Sequence, residues 1–101
     1  MTRIEAEQSV ERYYNESDPL PERFGRWVVL PQRTIEKEYG WVCFVATSGF
    51  LETGDYRLLP VGNSPVLVLK EGGRFIMVGT AEPAETFLED FEHRQRRGRP
   101  G

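Results

Sequence analysis

The sequence predicts an α+β domain: an antiparallel sheet of about four strands between an N-terminal and a C-terminal helix, in the order α-β-β-β-β-α. Three observations predict it. The chain begins and ends on segments with the 3.6-residue apolar period of amphipathic helices. Between them, residues 26–30, 41–47, 66–69 and 74–78 are rich in β-branched and aromatic side chains. The last two of these runs flank Glu71-Gly72-Gly73, which has the spacing and composition of a hairpin turn. Runs of strand character bracketed by helices argue for an antiparallel sheet rather than alternating βαβ units.

In the first helix, Thr2 and Glu5 stand three apart, as a capping box requires. Ala6, Val10, Tyr13 and Tyr14 recur at the spacing of one buried face. Pro19 cannot continue the helix, and residues 19–25 read as a loop with two prolines. Residues 26–30 form a first strand, stopped by Pro31, and 34–38 alternate weakly as a short strand. After Gly40 comes the most strand-like run of the chain. It reads as one strand at the centre of the sheet, with Val42, Phe44 and Ala46 on one face and Trp41, Cys43, Val45 and Thr47 on the other. Ser48-Gly49 reads as a turn into a loop, residues 56–61 are ambiguous, and Gly62-Asn63 suits left-handed backbone angles. Pro83 fits the first position of the last helix, where its missing amide costs nothing, and Ala84, Phe87, Leu88 and Phe91 make that helix's stripe. At least three strands are apolar on both faces. Either each helix covers one face, or one face is left for a partner.

A chain of 101 residues holds one domain, read here as residues 1–93, with 94–101 as a disordered Arg-rich tail. No apolar run is long enough to cross a membrane, and the charged N-terminus has no signal core; with a single cysteine, this points to the cytoplasm. The net charge of −3 conceals an asymmetry. Four of the 13 basic residues, Arg94, Arg96, Arg97 and Arg99, lie in the last eight positions, whereas all 16 acidic ones precede them. An acidic body disfavours nucleic acid and membrane surfaces and favours a basic partner.

No catalytic constellation appears. His93 is the only histidine, has no nucleophile or carboxylate in a suggestive position, and reads as a solvated surface residue. Cys43, mid-strand among apolar neighbours, reads as a buried, inert thiol. One Cys and one His make no metal site, and no cofactor motif is present. The carboxylates Glu36 and Glu38, Glu52 and Asp55, and Glu89 and Asp90 come in near pairs, which read as a solvated face or an acidic docking surface. Arg97-Gly98-Arg99-Pro100 matches the core of a minor-groove-binding hook, but one copy on an acidic body argues against nucleic acid as a partner.

Four pieces in order and spacing carry a family resemblance: Gly40-Trp41-Val42-Cys43-Phe44, Leu51-Glu52-Thr53-Gly54-Asp55, Gly62-Asn63-Ser64-Pro65-Val66-Leu67-Val68 and Gly79-Thr80-Ala81-Glu82-Pro83. Together they resemble the immunity protein 35 family, also called the YrhB domain family, from about residue 35 to 91. One departure is Leu69-Lys70-Glu71-Gly72-Gly73 in place of an Asp-based turn. The resemblance implies a cytoplasmic bacterial protein of a polymorphic-toxin locus that binds and inhibits its cognate toxin, with peptidase-type toxins expected, and that is not an enzyme. Its alternative is a small heat-stable, chaperone-like binding module. A dimer is compatible with either. Gly40, Trp41, Gly54, Gly62, Asn63, Pro65, Gly79 and Pro83 would be scaffold. Glu36, Glu38, Phe50, Glu52, Asp55 and Tyr56 would contact the partner.

Overall fold

In the computed structural model, which describes residues 1–60, 64–78 and 83–97, the elements run α1 (Arg3–Ser17), β1 (Trp27–Val29), β2 (Ile35–Lys37), β3 (Gly40–Cys43), β4 (Val45–Thr47), α2 (Ser48–Thr53), β5 (Val66–Leu69), β6 (Phe75–Met77) and α3 (Ala84–Arg97). Single 3-10 turns lie at Glu22–Phe24, Pro31–Arg33 and Tyr56–Leu58. The fold is the expected α+β arrangement of antiparallel strands, with the additional short helix α2. The strands divide into a four-stranded sheet, ordered β2-β3-β5-β6, and a two-stranded pair, β1-β4.

The capping box forms as read. The Thr2 amide donates to Glu5 Oε1 at 2.8 Å, and the Glu5 amide donates to Thr2 Oγ1 at 3.2 Å. Ala6, Val10 and Tyr14 are buried beneath α1. Tyr13 is not; it is 41% exposed, with its ring edge-on to Phe75 at 5.5 Å. Polar side chains of α1 also complete β1. The Trp27 amide donates to Asn15 Oδ1 at 2.8 Å, Asn15 Nδ2 donates to the Trp27 carbonyl at 3.0 Å, and the Val29 amide donates to Glu11 Oε1 at 2.9 Å. Trp27 Nε1 donates to the Asp18 carbonyl at 2.7 Å. Strand-edge groups that would otherwise stand open are therefore satisfied by helix side chains.

Residues 41–47 are not one strand. β3 pairs with β2 and β5, whereas β4 pairs with β1, and Phe44 is the crossing point between sheets. Every residue of the run favours extended backbone, so local propensity has no signal for a change of partner. The alternation of faces survives the crossing. Trp41, Cys43 and Val45 join the core under α1 with Val66 and Val68. Val42 lies in the opposite cluster with Leu67, Val78 and Leu88, and Phe44 packs against it. The register explains this division: Trp41 faces Val68, Val42 faces Leu67, and Leu67 faces Ile76.

Each helix thus covers one face of the four-stranded sheet, α1 on one side and α3 on the other. Burial of each fully enclosed Val or Leu contributes about 1.5–3 kcal/mol relative to exposure. Gly40 is required by close approach, because a β-carbon there would overlap the Val68 carbonyl of β5.

Two further segments differ from the reading above. Ser48-Gly49 is the start of α2, not a turn. Thr47 is its N-cap, accepting from the Phe50 amide at 3.1 Å, and Gly54 ends it in the left-handed region at φ 71°. At the C-terminus, α3 continues through Arg97, so residues 94–97 are helical rather than a disordered tail. Arginine is a good helix former, and cationic side chains suit a helix C-terminus. Pro83 stands one position earlier than expected, its carbonyl accepting from the Thr86 and Phe87 amides at 3.0 and 3.2 Å. Gly62, Asn63 and Gly79, with the Gly98–Pro100 part of the hook-like run, lie outside the described residues.

Candidate functional site

The side chains expected to meet a partner fall in two places, separated by the length of β3 and β4. Phe50, Glu52, Asp55 and Tyr56 come together on a knob made by α2 and the 3-10 turn that follows it. Thr47 anchors the knob from below. Its buried hydroxyl donates to the Leu58 carbonyl at 2.6 Å while capping α2, tying both ends of the loop to β4. On top, the Phe50 and Tyr56 rings lie 5.3 Å apart with their planes at 48°. Tyr56 is 78% exposed, and Leu51 and Glu52 beside it are also exposed. Asp55 is not a free charge. It caps the turn through the Arg57 amide at 2.9 Å and holds the Arg57 guanidinium through contacts of 2.9–3.2 Å. These hydrogen bonds from Arg57 keep the Asp55 carboxyl below its usual range.

Glu36 and Glu38 lie at the other place, an open groove of about 830 Å³ at the end of the four-stranded sheet. The β2–β3 turn, the β5–β6 turn and the C-terminal half of α3 form its walls. Glu36 Oε1 accepts from Trp41 Nε1 at 3.2 Å, and Lys70 Nζ sits 5.1 Å from the centre of the Trp41 ring. Glu36 therefore contributes to the groove's edge, while its carboxylate is turned to the Trp41 indole on the α1 side of the sheet. Tyr39 and Phe91, 5.2 Å apart, give the groove an aromatic surface. The Tyr39 hydroxyl is shielded from water and has no hydrogen-bond partner. Burial, with the Glu92 carboxylate second, pushes its pKa up to about 12. Sequence reading missed Tyr39, Glu71, Phe91 and Glu92 here. They come from three separate segments, and only the register of β3 on β5 brings the two turns together.

The remaining residues occupy structural positions. Trp41 is 4% exposed, Gly54 ends α2, and the Pro65 carbonyl accepts from the Val78 amide at 2.9 Å, extending the β5–β6 pairing. Cys43 is fully buried, and burial followed by the nearby Glu7 charge pushes its thiol up to about 12. His93 is exposed. Among the described residues, no three His, Cys, Asp or Glu side chains are grouped to hold a metal ion, and no helix is long and apolar enough to cross a membrane.

The architecture is that of a small layered α+β domain, with an aromatic pair on α2 and the turn after it and a carboxylate-bearing groove at the β2–β3 and β5–β6 turns. The immunity protein 35 family matches residues 5–93, and the chain belongs to that family. It is also 44% identical over 54 residues to an uncharacterised Escherichia coli K12 protein, YrhB, a match covering 52% of this chain and 56% of that protein. No solved structure matches the chain.

Proposed function

We propose that this protein neutralises a cognate bacterial toxin by binding it, without catalysis of its own, in the cytoplasm of the cell that makes both. Membership of an immunity-protein family carries the reading. The finer proposal is that Tyr56, Phe50, Glu52 and Asp55 on the knob contact the toxin, with Glu36 and Glu38 at the groove, and that the toxin is of the peptidase type. An exposed Tyr56 ring backed by the half-buried Phe50, beside carboxylates, is the composition of an interface anchor with a charged rim. A small knob of this kind can enter an active-site cleft, where it would occlude a peptidase directly.

Co-expression with the toxin of the neighbouring reading frame tests the proposal. The wild-type chain is expected to restore growth and to co-elute with the toxin on gel filtration. Tyr56→Ala is expected to weaken the complex by roughly thirtyfold or more, the scale of an interface hot spot, while leaving the urea midpoint unchanged. Failure of the wild-type chain to form any complex or to restore growth sinks the neutralisation reading. If such a chain nevertheless suppresses heat aggregation of unrelated proteins at near-stoichiometric ratio, the chaperone-like alternative replaces it.

A further inference from the structure

We propose that the groove at the sheet end is a docking site for an extended, arginine- or lysine-bearing segment of a protein partner. The inference rests on reading the chain as a binding protein, but not on the partner being a toxin.

Three observations carry it. First, the groove is unequally charged. Glu38, Glu71 and Glu92 line it against Lys37, while the charged ends of the two other lining residues, Glu36 and Lys70, are turned to Trp41 on the other face of the sheet. Lys37 and Glu92 are loosely paired at 3.9 Å and Lys70 sits over the Trp41 ring, so the carboxylates of the groove that make no ion pair among the described residues are Glu38 and Glu71. Glu38 and Glu71 are exposed and stand on the two opposing turns. A cation between those turns would be flanked by carboxylates on both sides. Second, the surface between them is aromatic. Tyr39 and Phe91, half-buried and packed on one another, line it, and aromatic rings are surfaces on which guanidinium and ammonium groups pack. Third, the Tyr39 hydroxyl is shielded from water and makes no well-formed hydrogen bond, with the Glu92 carboxylate close beside it. Such a group is normally satisfied, and leaving it bare costs about 1–3 kcal/mol. An incoming segment that shifts Glu92 or offers a backbone carbonyl would supply its partner.

The volume of about 830 Å³ fits several side chains rather than one ion. Charge complementarity selects a basic segment over an acidic or purely apolar one. Protein rather than nucleic acid follows from the same carboxylates, which repel phosphate.

The test uses the full chain and a fluorescent peptide of alternating arginine and alanine, with matched peptides carrying glutamine or glutamate in place of arginine. Anisotropy at low salt is expected to show binding of the arginine peptide only, with amide shifts confined to residues 36–39, 69–71 and 91–95. The Glu38→Gln/Glu71→Gln chain is expected to bind at least about tenfold more weakly, and Tyr39→Phe about threefold more weakly. Glu16→Gln/Glu22→Gln, which removes the same charge from exposed positions elsewhere, is expected to change little. Equal binding of the glutamine peptide overturns the proposal, as does equal weakening by both double variants. A concentration-dependent dimer that Glu38→Gln dissociates would place a second copy in the groove and likewise overturn it. Because the peptide assay needs no toxin, the two readings can fail separately. Peptide docking without a toxin complex sinks neutralisation alone, whereas a toxin complex without shifts at the groove sinks the docking proposal alone.

Discussion

The two faces of the four-stranded sheet are covered by helices of similar length, yet the helices are attached in different ways. Helix α1 combines apolar burial with side-chain hydrogen bonds to strand backbone, made by Asn15 and Glu11 to Trp27 and Val29. Ala6 and Val10 beneath it are fully buried. Helix α3 rests on one fully enclosed residue, Leu88, with Ala84, Phe87 and Phe91 only partly buried around it. Its ion pair to the sheet, Lys37 with Glu92, is loose at 3.9 Å and exposed to water on both sides. The first face is locked by directional bonds to backbone. The second is held mostly by non-directional ring packing, and it is the one that borders the groove. A docking surface is commonly found where local stability is low, because rearrangement there disturbs least.

The largest expected contrast is in the aromatic side chains. Trp27→Ala, on the α1 side, removes a side chain 1% exposed and a hydrogen bond to Asp18; it is expected to cost about 3–5 kcal/mol in urea unfolding. Phe91→Ala, on the α3 side, should cost about 1–2 kcal/mol, since its ring is only partly removed from water. Equal losses would show the two faces to be equally bound. The next contrast is polar. Asn15→Ala strands both the amide and the carbonyl of Trp27 and is expected to cost about 2–3 kcal/mol, whereas Glu92→Gln should cost less than about 0.5 kcal/mol.

The smallest contrast is in alkali. Burial, with the Glu92 carboxylate second, pushes the Tyr39 hydroxyl from an ordinary value of 10.0 up to about 12 in the folded chain. Below pH 10 both states keep the proton, and its stabilising contribution is complete. As pH rises from 10 toward about 12 only the unfolded state gives it up, so that contribution is lost through this window. Urea midpoints of the wild type should therefore fall more steeply there than those of Tyr39→Phe; parallel curves would mean that Tyr39 is not shielded in solution.

What the sequence could disclose followed from locality. The Thr2–Glu5 box, the α1 stripe through Ala6 and Val10, and the Glu71-Gly72-Gly73 hairpin each depend on residues a few positions apart, and each formed as read. Phe44 is the counterexample. Its neighbours on both sides are strand formers, and the switch of partner from β5 to β1 is a property of distant segments. Helix α2 was legible in principle, with Thr47 as N-cap and Gly54 as its stop, but Ser48-Gly49 also matches a turn. Choosing between them needs the contact that Gly49 makes possible, in which α2 packs on the Arg23 and Phe24 carbonyls with no room for a β-carbon. For the candidate site, Phe50 and Tyr56 were read as partner-facing neighbours because they lie close in sequence. Tyr39, Phe91 and Glu92 were not, because a groove assembled from two turns and a helix leaves no local pattern.

The burial of Cys43 has a practical consequence. It is the only thiol in the chain, it lies in β3 beneath α1, and its high pKa keeps it protonated under ordinary conditions. A sulfhydryl reagent can reach it only when that layer parts. For a domain held by about 5–10 kcal/mol, full unfolding exposes the thiol in on the order of one molecule in 10⁴ to 10⁷, and any cheaper opening of the α1 layer exposes it more often. The rate of thiol modification therefore works as a clock on the opening of the α1 layer, and it requires no engineered label. Run with and without a bound partner, the clock reports how far an encounter at the groove or the knob is felt on the opposite side of the sheet.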